Sequence, residues 1–113
     1  MTATVQAVWQ SVCGYDALLP ERGVCALVHG TPVAIFRTFD GTLHAVGNVD
    51  PFSGASVLSR GIVGTRDDVP TVASPVFKQV FDLTSGQCLD DPAVTIEVYS
   101  VRRSGDDVEV SLR

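Results

Sequence analysis

The sequence predicts an all-β protein, a sandwich or small barrel of short antiparallel strands, from three observations. Nineteen of its 113 residues are valine, joined by clusters of Thr, Ile and Phe, and β-branched side chains pack well on a pleated surface while crowding a helix. Short apolar runs follow one another, each ended by Gly, Pro, Asn or Asp, which is the rhythm of a sandwich or barrel. No stretch keeps a helical period for three turns.

The first apolar run is Val8 to Val12. Tyr15 to Leu19 is the best helical candidate, and Pro20 and Gly23 end it within one turn. Val24 to Val28 and Val33 to Phe39 follow, joined by the short hairpin connection His29-Gly30-Thr31-Pro32. Asp40-Gly41 then turns the chain into Leu43 to Val46, completing a three-stranded meander. From Asn48 to Leu83 the pattern changes, because Pro51, Gly54, Gly61, Gly64, Pro70 and Pro75 punctuate short apolar pieces such as Ile62-Val63 and Thr71 to Ala73. That stretch reads as two long loops mounted on short strands. Thr84-Ser85-Gly86-Gln87 and Asp90-Asp91-Pro92 are turn material, and Val94 to Val101 resumes as strand. Ser104-Gly105-Asp106-Asp107 makes a last hairpin, whose second strand alternates Val108, Val110 and Leu112 with Glu109 and Ser111. No repeat, low-complexity tract or linker interrupts the chain, so residues 1–113 are expected to form one domain, with residues 48–83 as its loop-bearing part.

Composition narrows the function. Thirteen Asp and Glu against eight Lys and Arg, with Lys78 the single lysine, give a net charge of -5, which opposes binding to phosphate backbones and argues against a nucleic-acid partner. No apolar run has the length of a membrane span, and no secretory signal pattern opens the chain, so a cytoplasmic location is expected. Cys13, Cys25 and Cys88 are odd in number and widely separated, which argues against a disulfide framework and favours small buried hydrophobes. His29 and His44 both sit beside turns, where a solvated or backbone-bonded imidazole is the expected state. Gly61-Ile62-Val63-Gly64 lacks the pattern of a nucleotide-binding loop, and no Ser/His/Asp set carries a catalytic signature. No catalytic residue is assigned.

The segments Leu43 to Ala55, Leu58 to Gly64 and Ala73 to Asp82, followed by Thr84-Ser85-Gly86, resemble the cluster-binding half of Rieske iron–sulfur domains. Such a domain has a first loop Cys-Pro-His-x-Gly-Ala and a second loop Cys-Pro-x-His-Gly. Here Asp50-Pro51-Phe52-Ser53-Gly54-Ala55 and Ser74-Pro75-Val76-Phe77-Lys78 occupy those places. A Rieske centre needs two thiolates on one iron and two imidazoles on the other, and Asp50, Phe52, Ser74 and Phe77 supply neither. The resemblance therefore implies a Rieske-like β-sandwich with a degenerate cluster-binding part and no metal of its own. A vacated space between the loops would forfeit contacts, so Phe52 and Phe77 are expected to fold into it as an apolar plug.

This variant of the frame, with Val49-Asp50-Pro51-Phe52-Ser53, Leu58 to Gly64 and Lys78-Gln79-x-Phe81-Asp82-Leu83, resembles the small subunit of assimilatory NAD(P)H-dependent nitrite reductases. The likeness runs from Trp9-x-x-Val12-Cys13 through Val33 to Arg37 and on to Val98-Tyr99-x-Val101-Arg102. It implies an accessory oxidoreductase subunit that binds no cofactor and supports a large subunit carrying FAD, an iron–sulfur cluster and sirohaem, which reduces nitrite to ammonium. Arg60, Lys78 and Gln79 flank the two loops and are candidates for docking on that partner. Arg102 and Arg103 offer no comparable reason. The alternatives are a small Rieske-type electron carrier with an unrecognised centre, and a stand-alone ligand-binding or regulatory module using the same loops.

Overall fold

The computed structural model describes residues 8–112. Among the described residues, nine strands form two antiparallel sheets. The larger sheet contains β1 (Gln10–Gly14), β2 (Arg22–Val28), β3 (Thr31–Arg37), β4 (Leu43–Gly47), β8 (Val98–Ser104) and β9 (Asp107–Ser111), in the spatial order β1-β9-β8-β4-β3-β2. The smaller contains β5 (Ile62–Arg66), β6 (Val69–Ala73) and β7 (Val80–Asp82). The edges of the larger sheet, β1 and β2, are brought together by one side chain: Gln10 Nε2 donates to the Leu27 carbonyl at 3.0 Å, and Gln10 Oε1 accepts from the His29 amide at 3.3 Å.

The continuous apolar run in β3 is explained by burial on both faces. Val33 and Ile35 point into a core with Leu18, Val28, Ala45, Val108 and Val110. Ala34 and Phe36 point the other way, into a second core with Val46, Leu58, Val72, Phe81, Leu83, Cys88 and Ile96, which joins the two sheets. Val108 and Val110 are buried as their alternation predicts.

Several elements differ from the sequence expectation, the first run among them, since β1 spans Gln10–Gly14 and not Val8 to Val12. The run Val33 to Phe39 ends as a strand at Arg37, because Thr38 opens the turn: its amide donates to Thr42 O and its carbonyl accepts from Gly41. Phe39 is thereby carried to the turn tip, 74% exposed. Strand β8 starts at Val98 rather than Val94, since Ile96 and Val94 turn down onto the second core and the Ile96 amide bonds to Gly86 O. Tyr15 to Leu19 is reduced to the 3₁₀ turn Tyr15–Ala17. Between β5 and β6, Asp67 and Asp68 form a hairpin turn with both φ angles positive (51° and 65°). Aspartate tolerates that left-handed conformation better than most residues, and without a glycine the turn gives little signal.

The cysteines divide. Cys88 is buried in the second core and Cys13 is half-buried, its thiol pushed up by that burial. Cys25 is exposed, against expectation, because it faces outward from the edge strand β2.

Candidate functional site

The two loops that follow β4 and β6 share one backbone pattern. In the first, the Asp50 amide donates to Ala55 O at 2.8 Å and the Gly54 amide donates to Asp50 O at 2.7 Å. In the second, the Ser74 amide donates to Gln79 O at 2.9 Å and the Lys78 amide donates to Ser74 O at 3.1 Å. Each leading side chain also accepts from the amide two residues on: Phe52 N donates to Asp50 Oδ1 at 2.8 Å, and Val76 N donates to Ser74 Oγ at 3.3 Å. The fifth residue has a positive φ in both, 74° at Gly54 and 65° at Lys78. Each leading residue is followed by proline, whose fixed φ suits the start of such a turn.

The loops are tied at their leading residues. Ser74 Oγ donates to Asp50 Oδ2 at 2.5 Å, and both residues are fully buried. Asp50 thus uses one carboxylate oxygen within its own loop and the other across the gap, while Ser74 Oγ donates once and accepts once. Neither polar side chain is left unsatisfied, which is the condition for burying it at modest cost.

Behind this pair, Asn48 ties the base of the first loop to the 3₁₀ turn Leu58–Arg60: Asn48 Nδ2 donates to Ser56 Oγ at 2.8 Å, and Asn48 Oδ1 accepts from the Ser59 amide at 2.7 Å. Gly61 lets the chain pass against β6, since a Cβ there would meet Ala73 O and the Val72 side chain.

The two phenylalanines separate, correcting the expectation of a joint plug. Phe52 is half-buried against the second core, its ring centroid 6.2 Å from that of Phe81 at 47°. Phe77 is 57% exposed at the tip of the second loop. Phe52 has the Phe81 ring to pack against, whereas Phe77 stands at its loop tip with the ring largely in solvent.

These residues do not fit an iron–sulfur cluster. A Rieske centre needs two thiolates and two imidazoles, whereas Asp50 and Ser74 offer a carboxylate and a hydroxyl bonded to each other and Phe52 and Phe77 are phenyl rings with no donor atom. Cys88 is packed into the core between the sheets. Among the described residues, no three of His, Cys, Asp or Glu converge in a metal-holding group.

Arg60, at the end of its 3₁₀ turn, is exposed and lines a shallow groove of about 400 Å³ together with Arg22, Gly23 and Ile62. Ile62 pairs with Ala73, the residue directly before the second loop. Lys78 is exposed, its Nζ donating to Pro75 O at 3.3 Å. Gln79 is half-buried, with its Oε1 enclosed and unpartnered among the described residues. Arg22 escapes a reading of the sequence because it lies 38 positions before Arg60, and only the fold brings the two to one groove.

His29 is exposed. His44 is half-buried beside a cavity of about 240 Å³ lined also by Phe39, Asp40 and Asp68. Burial holds its pKa below the usual imidazole value, opposed by Asp40, by Asp82 and by a hydrogen bond to the Leu83 backbone.

Residues 8–111 match the family described as Rieske-like [2Fe-2S] domain. The chain is 44% identical over 95 residues to the nitrite reductase (NADH) small subunit of Salmonella typhimurium, covering 83% of this chain and 88% of that protein. A solved structure described as an NADH-dependent nitrite reductase small subunit from Mycobacterium tuberculosis superposes with a TM-score of 0.92 at 51% identity, covering 95% of this chain and 96% of that one. A segment of the nitrite reductase [NAD(P)H] large subunit of Klebsiella oxytoca is 34% identical over 94 residues, 83% of this chain and 10% of that protein.

Proposed function

The chain belongs to the Rieske-like domain family and, within it, to the small subunits of NADH-dependent nitrite reductase; from there we propose that it is an accessory subunit that docks on the large subunit and moves no electrons itself. The observation that carries this reading is the Asp50–Ser74 hydrogen bond. It holds together, without metal, the two loops that a cluster would otherwise cross-link. The electron-carrier alternative needs a donor set at this tip, and none of the four side chains in question offers one apart from a carboxylate and a hydroxyl already engaged with each other.

The partner is the nitrite reductase large subunit. The Klebsiella oxytoca protein supports this, because there a segment similar to this chain occupies about a tenth of a polypeptide named as the large subunit. FAD, an iron–sulfur cluster and sirohaem reside on that large subunit in this reading, which acts in the cytoplasm. The docking unit is the whole chain taken as one domain, since one core draws side chains from both sheets. Docking uses the paired loops and their flanks at Arg60, Lys78 and Gln79. Gln79 contributes least of the three because it is half-buried.

Deleting the gene in the source organism tests the role. Growth on nitrite as sole nitrogen source should fail and return when this chain is supplied. Undiminished growth of the deletion strain, with the large subunit still needed, would contradict an accessory role.

A further inference from the structure

Eight cationic residues are spread over the sequence, and their partners distinguish them. Arg66, Arg102 and Arg103 each pair with a carboxylate, on Asp90, Glu109 and Asp106. Arg37 lies 4.2 Å over the Tyr15 ring and donates to Leu18 O. Among the described residues, that leaves Arg22, Arg60 and Lys78 with neither a carboxylate nor an aromatic ring as partner. Arg22 and Arg60 share one groove, and its wall residue Ile62 pairs with Ala73, directly before the loop that carries Lys78. In a chain of net charge -5, two such arginines in one groove and such a lysine on the loop beginning next to it are a local reversal of sign.

Apolar side chains are exposed on the groove and on the neighbouring loop. Ile62, on the groove wall, is 73% exposed; Phe77 and Val76, beside Lys78, are 57% and 42% exposed. Two backbone amides bonded to Ser74 hold this tip in shape, so presenting Phe77 to a partner loses little conformational entropy. Charge depletion around an aromatic anchor with cations at the rim is the composition of a protein interface. Within the two loops, residues 48–57 and 74–79, the lone carboxylate is the buried Asp50. Glu21 also lines the groove and is outnumbered by its two arginines. Phe39, by contrast, is exposed among Glu21, Asp40 and Asp68, and so lacks a charge-poor surround.

We infer that this face, Ile62, Val76 and Phe77 bordered by Arg22, Arg60 and Lys78, is the surface that docks on the large subunit, against an apolar patch edged with carboxylates. The inference rests on the accessory-subunit reading and adds the face and the sign of its partner.

Binding of the purified chain to the large subunit, measured by calorimetry, tests it. Phe77→Ser and the pair Arg22→Glu with Arg60→Glu should each weaken binding by about tenfold or more, with unchanged circular dichroism. Raising salt from about 50 to about 300 mM should weaken the wild-type complex and affect the arginine pair variant less. Leu27→Ser, exposed on β2, should bind as the wild type does. Wild-type binding that neither set of substitutions alters would overturn the face and leave the subunit reading standing. Failure of the wild-type chain to bind at all would overturn the subunit reading, and the face with it. A dimer of the isolated chain that Phe77→Ser dissociates would make this a self-association surface and overturn the proposal.

Discussion

Ser74 Oγ donates a hydrogen bond to Asp50 Oδ2 at 2.5 Å, joining two loops 24 residues apart in the chain with both residues sealed from solvent. Removing the donor leaves a buried carboxylate oxygen unpaired, which costs about 1–3 kcal/mol or more for a charged group. Ser74→Ala should lower the unfolding free energy by that amount in urea denaturation. A cycle with Asp50→Asn should show coupling of about 0.5–3 kcal/mol. Additive losses would mean that the two side chains do not act together.

The two loop phenylalanines, Phe52 and Phe77, should respond differently to truncation. Phe52 and Phe81 pack ring to ring on the core joining the sheets, so Phe81→Ala should cost about 3–5 kcal/mol and Phe52→Ala less, in proportion to its partial exposure. Phe77→Ala should change stability by no more than about 0.5 kcal/mol, because the ring stands in solvent. Thermal melts of the three variants check the order.

Gly86 and Gly30 both have positive φ, 79° and 81°, but only one is crowded. A Cβ at Gly86 would run into the Ile96 carbonyl, whereas nothing lies within 4 Å at Gly30. Gly30→Ala should therefore lose about 1–2 kcal/mol, the left-handed penalty alone. Gly86→Ala should lose clearly more in the same denaturation assay, since the backbone that carries Ile96 into the core must shift.

Burial holds the folded-state pKa of His44 below its ordinary value of 6.5. The unfolded chain then binds more protons as pH falls through 6.5, so stability falls as pH drops from that value toward the lower folded-state pKa, and is fully present above it. Urea midpoints between about pH 7.5 and 5 should decline for the wild type and decline less for His44→Gln. Parallel curves would assign the effect to other groups.

Much of the fold is legible in the sequence because turn chemistry punctuates it. Asp40-Gly41 and His29-Gly30 mark their hairpins, and the Val108/Val110 alternation gives the buried face of the last strand. The β5–β6 hairpin is not legible in the same way, since Asp67-Asp68 turns without glycine. The spacing of two loop motifs places Asp50, Phe52, Ser74 and Phe77, but spacing is silent on which ring turns inward. That outcome depends on Phe81 lying beneath Phe52. Arg22 joins the Arg60 groove solely through the packing of the Leu58–Arg60 turn over the start of β2, a contact no local pattern encodes.

Nitrite-dependent NADH oxidation by the isolated large subunit, titrated with this chain, measures its role as an accessory subunit. Activity should rise with added chain and saturate at a fixed ratio, and the added chain should carry no iron. Activity indifferent to the chain, or a rise only with preparations that contain iron, would contradict a supporting subunit whose loops are held by Asp50 and Ser74 instead of a cluster.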